Sequence, residues 1–229
     1  MKYLRAVGSI IITLLVYLLL PLLGWGINDL PSFFSSYPRF GYAVLIILFA
    51  LAVGYQAIDT PEGFRGSRGE ESKRLHRQSI VAAMLIIILF GALFFLPLAD
   101  RYGVGVMIGG QAVRWPGLSL AGFGLALIFW SGVALGKLYS AEVTIQKNHQ
   151  LITTGLYRYI RHPRYLGVIF AALGLSLLFR SWIGLVVSIP LLGVLLSRIK
   201  DEEAVLYEEF GLEWETYRKQ SWRLIPYLY

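Results

Sequence analysis

Three polar groups in the C-terminal part of this 229-residue chain carry the side chains that could do chemistry. They are Gln146–Tyr157 (QKNHQLITTGLY), Arg161–Tyr165 (RHPRY) and Arg198–Glu203 (RIKDEE). These groups supply guanidinium, imidazole and carboxylate side chains, which bind anions and accept hydrogen bonds from hydroxyl or amino groups. The chain has no cysteine, so disulfides, thiolate catalysis, iron–sulfur clusters and cysteine zinc sites are excluded.

The second group has the pattern of a helix start. Proline is favoured in the first helical turn because its missing N–H would be unpaired there, and Pro163 is followed by an apolar run. The free N–H groups and the positive dipole end at such a start attract negative groups. From composition alone two interpretations stay open, a ligand site or an interfacial cap. In the cap interpretation His162 caps the helix, Arg161 and Arg164 lie on headgroups, and Tyr165 joins the aromatic belt.

The third group ends the last apolar helix. Arg198 and Glu202 are four residues apart and share one helical face, which is the spacing of a structural ion pair. Charges at a membrane helix end that face other helices are costly unless they meet a partner or a ligand. An ion pair and a ligand site are therefore both open interpretations of this spacing.

The rest of the chain predicts an all-α integral membrane fold. Apolar residues make up 56% and charged residues 15% of the chain, against about 25% charge in an ordinary soluble domain. A bilayer core about 30 Å thick needs roughly 20 apolar helical residues. The stretches of that length are Leu4–Gly26, Phe40–Ile58, Ser79–Leu98 and Leu118–Leu138. Two shorter stretches, Tyr165–Phe179 and Trp182–Ser197, predict a C-terminal helical hairpin, which gives five or six transmembrane helices.

Loop charges predict that both termini face the cytoplasm. With that orientation 17 of the 21 Lys and Arg residues lie on the inner side, as the positive-inside rule requires. The net charge of +7 indicates membrane topology and predicts affinity for anionic membrane lipids. We expect no nucleic-acid partner. The outer segment Asp100–Gly117 alternates in polarity and predicts a small hairpin. The tail Leu206–Tyr229 predicts an amphipathic helix on the membrane surface.

Three segments together resemble the isoprenylcysteine carboxyl methyltransferase family, within a wider group of membrane methyltransferases that includes phospholipid N-methyltransferases. They are HQLITTGLYRYIRHPRYLG (149–167), RIKDEEAVLYEEFGLEWETYRK (198–219) and RLIPYL (223–228). They match, in order, a His-x-Leu-Val/Ile and Gly-x-Tyr stretch, Arg-His-Pro-x-Tyr-x-Gly, Arg-x-x-x-Glu-Glu-x-x-Leu and Phe-Gly-x-Glu-Tyr/Trp. Residues 1–140 add only hydrophobicity and topology. We therefore divide the chain into N-terminal helices (1–140) and a methyltransferase core (141–229) within one structural domain.

The resemblance implies S-adenosylmethionine as the cofactor, held without a metal in a cytosolic pocket under the C-terminal segment. It implies a lipophilic or amphiphilic methyl acceptor whose carboxylate is oriented by Arg198, so that Arg198 and Glu202 are the expected catalytic pair. The residues that match cofactor contacts are Gln146, His149, Leu151, Ile152, Tyr157, His162, Pro163, Tyr165 and Glu202. Arg164 occupies a variable position, where we expect a backbone contact only.

The sequence does not specify the methyl acceptor. A carboxylate is ionised at pH 7 and needs no general base, and catalysis can then rest on proximity and orientation. A phospholipid amine would require a base, for which Glu203 and His149 are candidates, and a small thiol is a third acceptor class. An NADPH-dependent membrane reductase and a non-catalytic lipid-binding protein are the alternatives outside methyl transfer.

Overall fold

The structure, a computed structural model, describes residues 2–59, 76–135 and 151–228, with side chains for 2–58, 83–135 and 151–228. Within these ranges the regular structure is helical, and two isolated β-bridges are the only strand-like pairings. The α-helices are α1 (Lys2–Leu14), α2 (Leu20–Trp25), α3 (Leu30–Phe34), α4 (Tyr37–Asp59), α5 (His76–Tyr102), α6 (Gln111–Leu135), α7 (Pro163–Leu178), α8 (Trp182–Phe210) and α9 (Leu212–Gln220). The prediction of an all-α fold is confirmed.

Five helical segments among the described residues are long and apolar enough to cross a membrane. They are Lys2–Trp25, Tyr37–Ile58, Ala83–Tyr102, Gln111–Leu135 and Trp182–Phe210. The first joins α1 and α2 through a π-helical turn, Leu15–Leu19, which precedes Pro21 and accommodates its missing N–H. The 16-residue α7 is about 24 Å long and is shorter than the bilayer core. The chain is an integral, multi-pass membrane protein.

The α7–α8 hairpin is present, but α8 is longer than its apolar part. We predicted that the last apolar stretch ends at Ser197, whereas α8 continues to Phe210. Hydropathy marks only the apolar part of a helix, and the charged residues that follow are good helix formers. The helix ends at Gly211, whose φ of +48° is a conformation that glycine adopts without steric cost.

The predicted hairpin at Asp100–Gly117 is wrong. Helix α5 continues to Tyr102 and α6 begins at Gln111, so only a short glycine-rich turn is left between them. One residue of that turn, Val106, forms an isolated bridge to Ser181 in the α7–α8 connection. Too few residues remain between the two helices for two paired strands. The alternation of polarity instead belongs to a turn that packs against the α7–α8 connection.

Helices α6 and α7 approach each other so closely that glycine is required at their contact. A Cβ on Gly124 would lie 2.5 Å from both the Ala171 nitrogen and the Gly167 carbonyl oxygen, and a Cβ on Gly167 would lie 2.7 Å from the Gly124 carbonyl oxygen. Small residues allow such backbone contact between membrane helices, where van der Waals packing drives association. This packing fixes the start of α7 relative to α6.

A second set of contacts ties the C-terminal segment to the helices. Leu127, Leu166, Ile199 and Leu224 form one buried apolar cluster that joins α6, α7, α8 and the segment after α9. In α9 both Trp214 and Tyr217 are buried. The tail therefore packs on the protein. The predicted Leu206–Tyr229 helix forms only in part, because its first residues belong to α8, α9 spans Leu212–Gln220, and residues 221–228 are not helical.

Candidate functional site

The Tyr165 hydroxyl connects the two residues that we expected to be catalytic. It donates a hydrogen bond to Glu202 Oε2 at 2.8 Å and accepts one from Arg198 Nε at 2.9 Å. Tyr165 lies in the first turn of α7, and its two partners lie one turn apart on α8. Hydrogen bonds to charged groups are about twice as strong as neutral ones, so this link fixes a guanidinium and a carboxylate side by side.

His162 joins the same group and does not cap α7. Its side chain makes no capping hydrogen bond, although it stands at the N-cap position. It is 3% exposed, and its Nε2 lies 3.3 Å from Glu203 Oε1 while its Nδ1 lies 3.9 Å from Glu202 Oε1. The imidazole is therefore in contact with both adjacent carboxylates, and the interfacial-cap interpretation is wrong for this residue.

Glu203 is the centre of a buried charge cluster. Arg161 Nε donates to its Oε1 at 3.0 Å and Arg223 Nη2 donates to its Oε2 at 2.5 Å, in addition to the contact with His162. The Arg161 side chain is only 8% exposed, so it is not a headgroup-binding surface arginine. Buried carboxylates require partners of this kind, since an unpaired buried charge is very costly.

The periodicity of α8 could have identified Glu203 as a buried residue. Leu191, Leu195, Ile199 and Glu203 follow one another at four-residue intervals, and all four are buried. A carboxylate that continues an apolar helix face must meet cations in the folded protein. That signal is in the sequence, but the identity of the cations, Arg161 and Arg223, is not.

The segment after α9 crosses the site as a short extended stretch. The backbone N–H groups of Arg161 and His162 donate to the carbonyls of Trp222 and Arg223 at 2.8 and 3.1 Å. Arg161 Nη1 also donates to the carbonyls of Arg218, at 3.0 Å, and Ser221. The C-terminal segment thus lies directly beside the start of α7, as the implied roof of the site requires.

Tyr157 is buried beside this group. It belongs to a 3-10 turn, Gly155–Arg158, and its side chain interacts with Ser131 of α6 and with the charge of Glu202. Its carbonyl accepts a 2.6 Å hydrogen bond from the Tyr217 hydroxyl. Burial raises the pKa of Tyr217 to about 12, so this hydroxyl stays protonated and continues to donate at neutral pH.

The remaining expected residues differ in what the structure describes. Pro163 is buried at the start of α7, and Leu151 and Ile152 are half-buried in irregular backbone ahead of the 3-10 turn. Gln146 and His149 lie outside the described residues. The structure therefore brings together Tyr157, His162, Tyr165, Arg198 and Glu202, and it adds Arg161, Glu203 and Arg223, which the resemblance did not select.

The Glu202 side chain keeps one oxygen available to a ligand. Its Oε2 accepts from Tyr165, but within the described ranges its Oε1 makes no hydrogen bond, and the side chain is 33% exposed. Glu203, by contrast, has hydrogen-bond partners on both oxygens. Of the two adjacent carboxylates, Glu202 can accept a hydrogen bond from a hydroxyl or amino group of a ligand. Glu203 instead forms ion pairs within the protein.

An apolar cavity of about 100 Å³ lies between the helices. Its lining comes mainly from α5, α6, α7 and α8 and includes Tyr17, Ile128, Val168, Leu175 and Leu191. Val168 lies on α7 about one helical turn after Tyr165. Part of this apolar space therefore lies close to the polar group at the start of α7.

Comparison with known proteins identifies the segment that carries the site. Residues 117–208 match the model of the isoprenylcysteine carboxyl methyltransferase family. The chain is 38% identical over 97 residues to a protein-S-isoprenylcysteine O-methyltransferase of Schizosaccharomyces pombe, a match that covers 41% of each chain. It is 32% identical over 96 residues to an uncharacterised protein of Haemophilus influenzae, covering 41% of this chain and 56% of that one. The matched segment thus spans about half or less of these curated relatives.

The whole fold also has a solved counterpart. The structure of a eukaryotic intramembrane Ras methyltransferase, an isoprenylcysteine carboxyl methyltransferase, superposes with a TM-score of 0.52 at 18% identity, covering 99% of this chain and 98% of that chain. At this identity the likeness establishes the membrane fold. Residues 117–208 are thus similar to the isoprenylcysteine carboxyl methyltransferase family, and the whole chain shares the membrane fold of a solved enzyme of that name.

Proposed function

We propose that this protein transfers a methyl group from S-adenosylmethionine to the carboxylate of an isoprenylcysteine-like or other amphiphilic acceptor at the cytoplasmic face of the membrane. The observation that carries the proposal is the hydrogen-bonded group Arg198–Tyr165–Glu202. It holds a cation suited to an acceptor carboxylate next to a carboxylate suited to a polar cofactor. Its position inside the family segment 117–208 supports the same assignment.

The donor set around Glu202 fits the proposed cofactor. The open Oε1 of Glu202 would accept hydrogen bonds from ribose hydroxyls or from the cofactor amino group. His162, Tyr157 and Pro163 would form the wall behind that carboxylate, and Leu151 and Ile152 would supply apolar contacts. When bound, S-adenosylmethionine supplies an activated methyl group on a sulfonium, which is transferred by in-line displacement.

On the acceptor side, Arg198 would orient the substrate carboxylate with its planar guanidinium. One carboxylate oxygen would form the new O–CH₃ bond as the S–CH₃ bond breaks, and the bonding electrons would stay on sulfur. No proton moves, so the chain needs no general base for this acceptor. The engagement of Glu203 by Arg161 and Arg223 supports the assignment, because a carboxylate with two strong cationic partners is a poor base for an amine acceptor.

The apolar cavity supports an acceptor with a hydrocarbon tail. Its lining is mainly aliphatic and contains no charged residue, so it would admit part of a lipid chain from between the helices. The relatives named protein-S-isoprenylcysteine O-methyltransferase favour an isoprenyl tail over an acyl tail. The carboxylate would then lie at Arg198 while the tail extends into the membrane interior.

The charge distribution supports placing this site and both termini on the cytoplasmic side. Single cysteines at Ile108 and Leu212, which are 98% and 81% exposed, can be introduced into this cysteine-free chain. In sealed vesicles an impermeant maleimide should label the two positions from opposite sides. Labelling of Leu212→Cys from the outside would reverse the proposed orientation.

The cofactor assignment is tested by calorimetry of the purified full chain in detergent. S-adenosylmethionine should bind saturably, NADPH should not bind, and Glu202→Gln should weaken binding of S-adenosylmethionine about tenfold or more. Glu209→Gln is a matched control, because Glu209 is an exposed carboxylate on the same helix. Binding of NADPH without S-adenosylmethionine would favour a reductase, and binding of neither would favour a non-catalytic lipid-binding protein.

A further inference from the structure

A second cluster of charges lies at the opposite end of the helices from the candidate site. Asp100, at the end of α5, receives hydrogen bonds from three guanidiniums, which belong to Arg39, Arg114 and Arg180. Arg39 lies in the first turn of α4, Arg114 lies in the first turn of α6, and Arg180 lies in the α7–α8 connection. We call these four residues the arginine cluster.

The arginine cluster carries two positive charges more than its single carboxylate can neutralise. Asp100 pairs with Arg39 at 3.3 Å, Arg114 at 2.6 Å and Arg180 at 3.0 Å, and its side chain is fully buried. The carbonyls of Phe33 and Leu178 accept further hydrogen bonds from the cluster, but they carry no net charge. An uncompensated excess of buried charge is costly in a membrane protein, which favours an additional anion.

Donors in the arginine cluster remain unused by the described residues. Arg114 Nε is buried and has no hydrogen-bond partner there. Both hydrogen bonds of Arg180 come from Nε and Nη2 and go to Asp100, so its Nη1 donates to no group in the described ranges. The Arg180 side chain is 24% exposed, whereas those of Arg39 and Arg114 are almost completely buried. An anion would therefore reach the cluster at Arg180.

The surroundings place the arginine cluster at headgroup depth. Trp115 follows Arg114, Tyr102 lies two residues after Asp100, and Trp182 lies two residues after Arg180. All three aromatic side chains are more than half exposed. Tryptophan and tyrosine are enriched at the membrane–water interface, where the phosphates of lipids lie.

We infer that the arginine cluster binds a phosphate-class oxyanion through Arg180, on the membrane face opposite the candidate site. The excess of two charges, the unused donor of Arg180 and the exposed aromatic residues together fit the phosphate of an anionic lipid headgroup. A free phosphate ion has the same binding chemistry and is distinguished by experiment.

The test compares the thermal unfolding of the full chain in phosphatidylcholine nanodiscs with and without phosphatidylglycerol. We expect phosphatidylglycerol to raise the Tm of the unmodified protein by about 5 °C, and Arg180→Gln to lose most of that shift. Arg101→Gln is the matched control. It removes one positive charge from the same end of the helices but leaves the arginine cluster intact, and it should keep the shift. Inorganic phosphate at constant ionic strength should give no comparable shift if the ligand is a lipid, and a saturable one if it is a free ion.

A second measurement does not depend on the folding of Arg180→Gln. A photo-crosslinking amino acid at the exposed position of Trp182 should capture phosphatidylglycerol well above its fraction in the nanodisc. Capture in proportion to the bulk lipid, with no saturable phosphate effect, would overturn the inference. So would an equal lipid-dependent shift in the unmodified protein and in Arg180→Gln.

Discussion

The Tyr165 hydroxyl donates a 2.8 Å hydrogen bond to Glu202, and through this contact the start of α7 is tied to the charged end of α8. The same oxygen accepts a hydrogen bond from Arg198, so the phenol orients both charged side chains at once. Residues that would bind two different ligands are thereby held at a fixed separation. Such prior orientation is what a displacement reaction without acid–base catalysis requires.

Removing this hydroxyl should therefore weaken both halves of the site without unfolding the protein. Tyr165→Phe loses two hydrogen bonds to charged partners, each worth roughly 1.5–3 kcal/mol. We expect at least tenfold weaker binding of S-adenosylmethionine by calorimetry and slower turnover at saturating cofactor. Tyr159→Phe, at a tyrosine that is 55% exposed two residues before Arg161, should leave both unchanged. Normal affinity and turnover in Tyr165→Phe would show that the hydroxyl serves stability alone.

Substitutions of Arg198 and of Glu202 should impair different properties, turnover in the first case and cofactor affinity in the second. Glu202→Gln replaces a charged acceptor with a neutral amide and should weaken cofactor binding about tenfold or more. Arg198→Lys should leave cofactor affinity nearly intact but reduce turnover, because a point charge cannot hold a carboxylate in bidentate geometry. The two quantities are cofactor affinity by calorimetry and turnover at saturating cofactor. If both variants lose only thermal stability, the pair is structural.

Glu203 should behave as a stability residue. Glu203→Gln leaves the buried Arg161 without a charged partner, and breaking a buried ion pair in this way costs roughly 3–5 kcal/mol. For a chain of this size we expect a Tm lower by about 10 °C. The exposed Glu209 lies on the same helix, and Glu209→Gln should change the Tm little. A stable Glu203→Gln protein with abolished turnover would instead identify Glu203 as a base and favour an amine acceptor.

The contact between α6 and α7 predicts that a single methyl group is harmful at Gly124. A Cβ there would lie 2.5 Å from the backbone of α7, and overpacking of this kind costs about 1–3 kcal/mol. Gly124→Ala should lower the Tm by several degrees. Gly193→Ala provides the control on α8, because a Cβ at that position meets nothing within 4 Å and should raise helix propensity. Equal shifts in the two variants would contradict the close packing.

Hydropathy and helix length were sufficient to predict the membrane fold and the C-terminal hairpin. The sequence patterns failed at Asp100–Gly117 and did not predict that α8 continues to Phe210, for related reasons. Alternating polarity does not distinguish a strand from a turn that is packed on a neighbouring loop. An apolar run ends where the membrane ends, although helix α8 continues beyond it.

The candidate site was predictable in part. The motif residues Tyr157, His162, Tyr165, Arg198 and Glu202 do converge, because α7 and α8 form a tight hairpin whose charged end meets the start of α7. The pairing of Glu203 with Arg161 and Arg223 was not predictable. It joins residues 42 and 20 positions apart through the path of the C-terminal segment, and no local pattern specifies that path.

The central claim is most directly tested by methyl transfer itself. The purified protein is incubated with S-adenosylmethionine carrying a labelled methyl group and, in separate reactions, with an N-acylated S-prenylcysteine that has a free carboxylate, with a phospholipid amine or with a small thiol. We predict label in the acceptor that mild alkali releases as methanol, since a carboxyl methyl ester hydrolyses whereas N-methyl and S-methyl products do not. Arg198→Lys should reduce the releasable label strongly, and esterified acceptor should accept none. Alkali-stable label, on a phospholipid amine or on a small thiol, would contradict the proposed carboxylate acceptor. Absence of transfer to all three acceptor classes would contradict the proposed reaction.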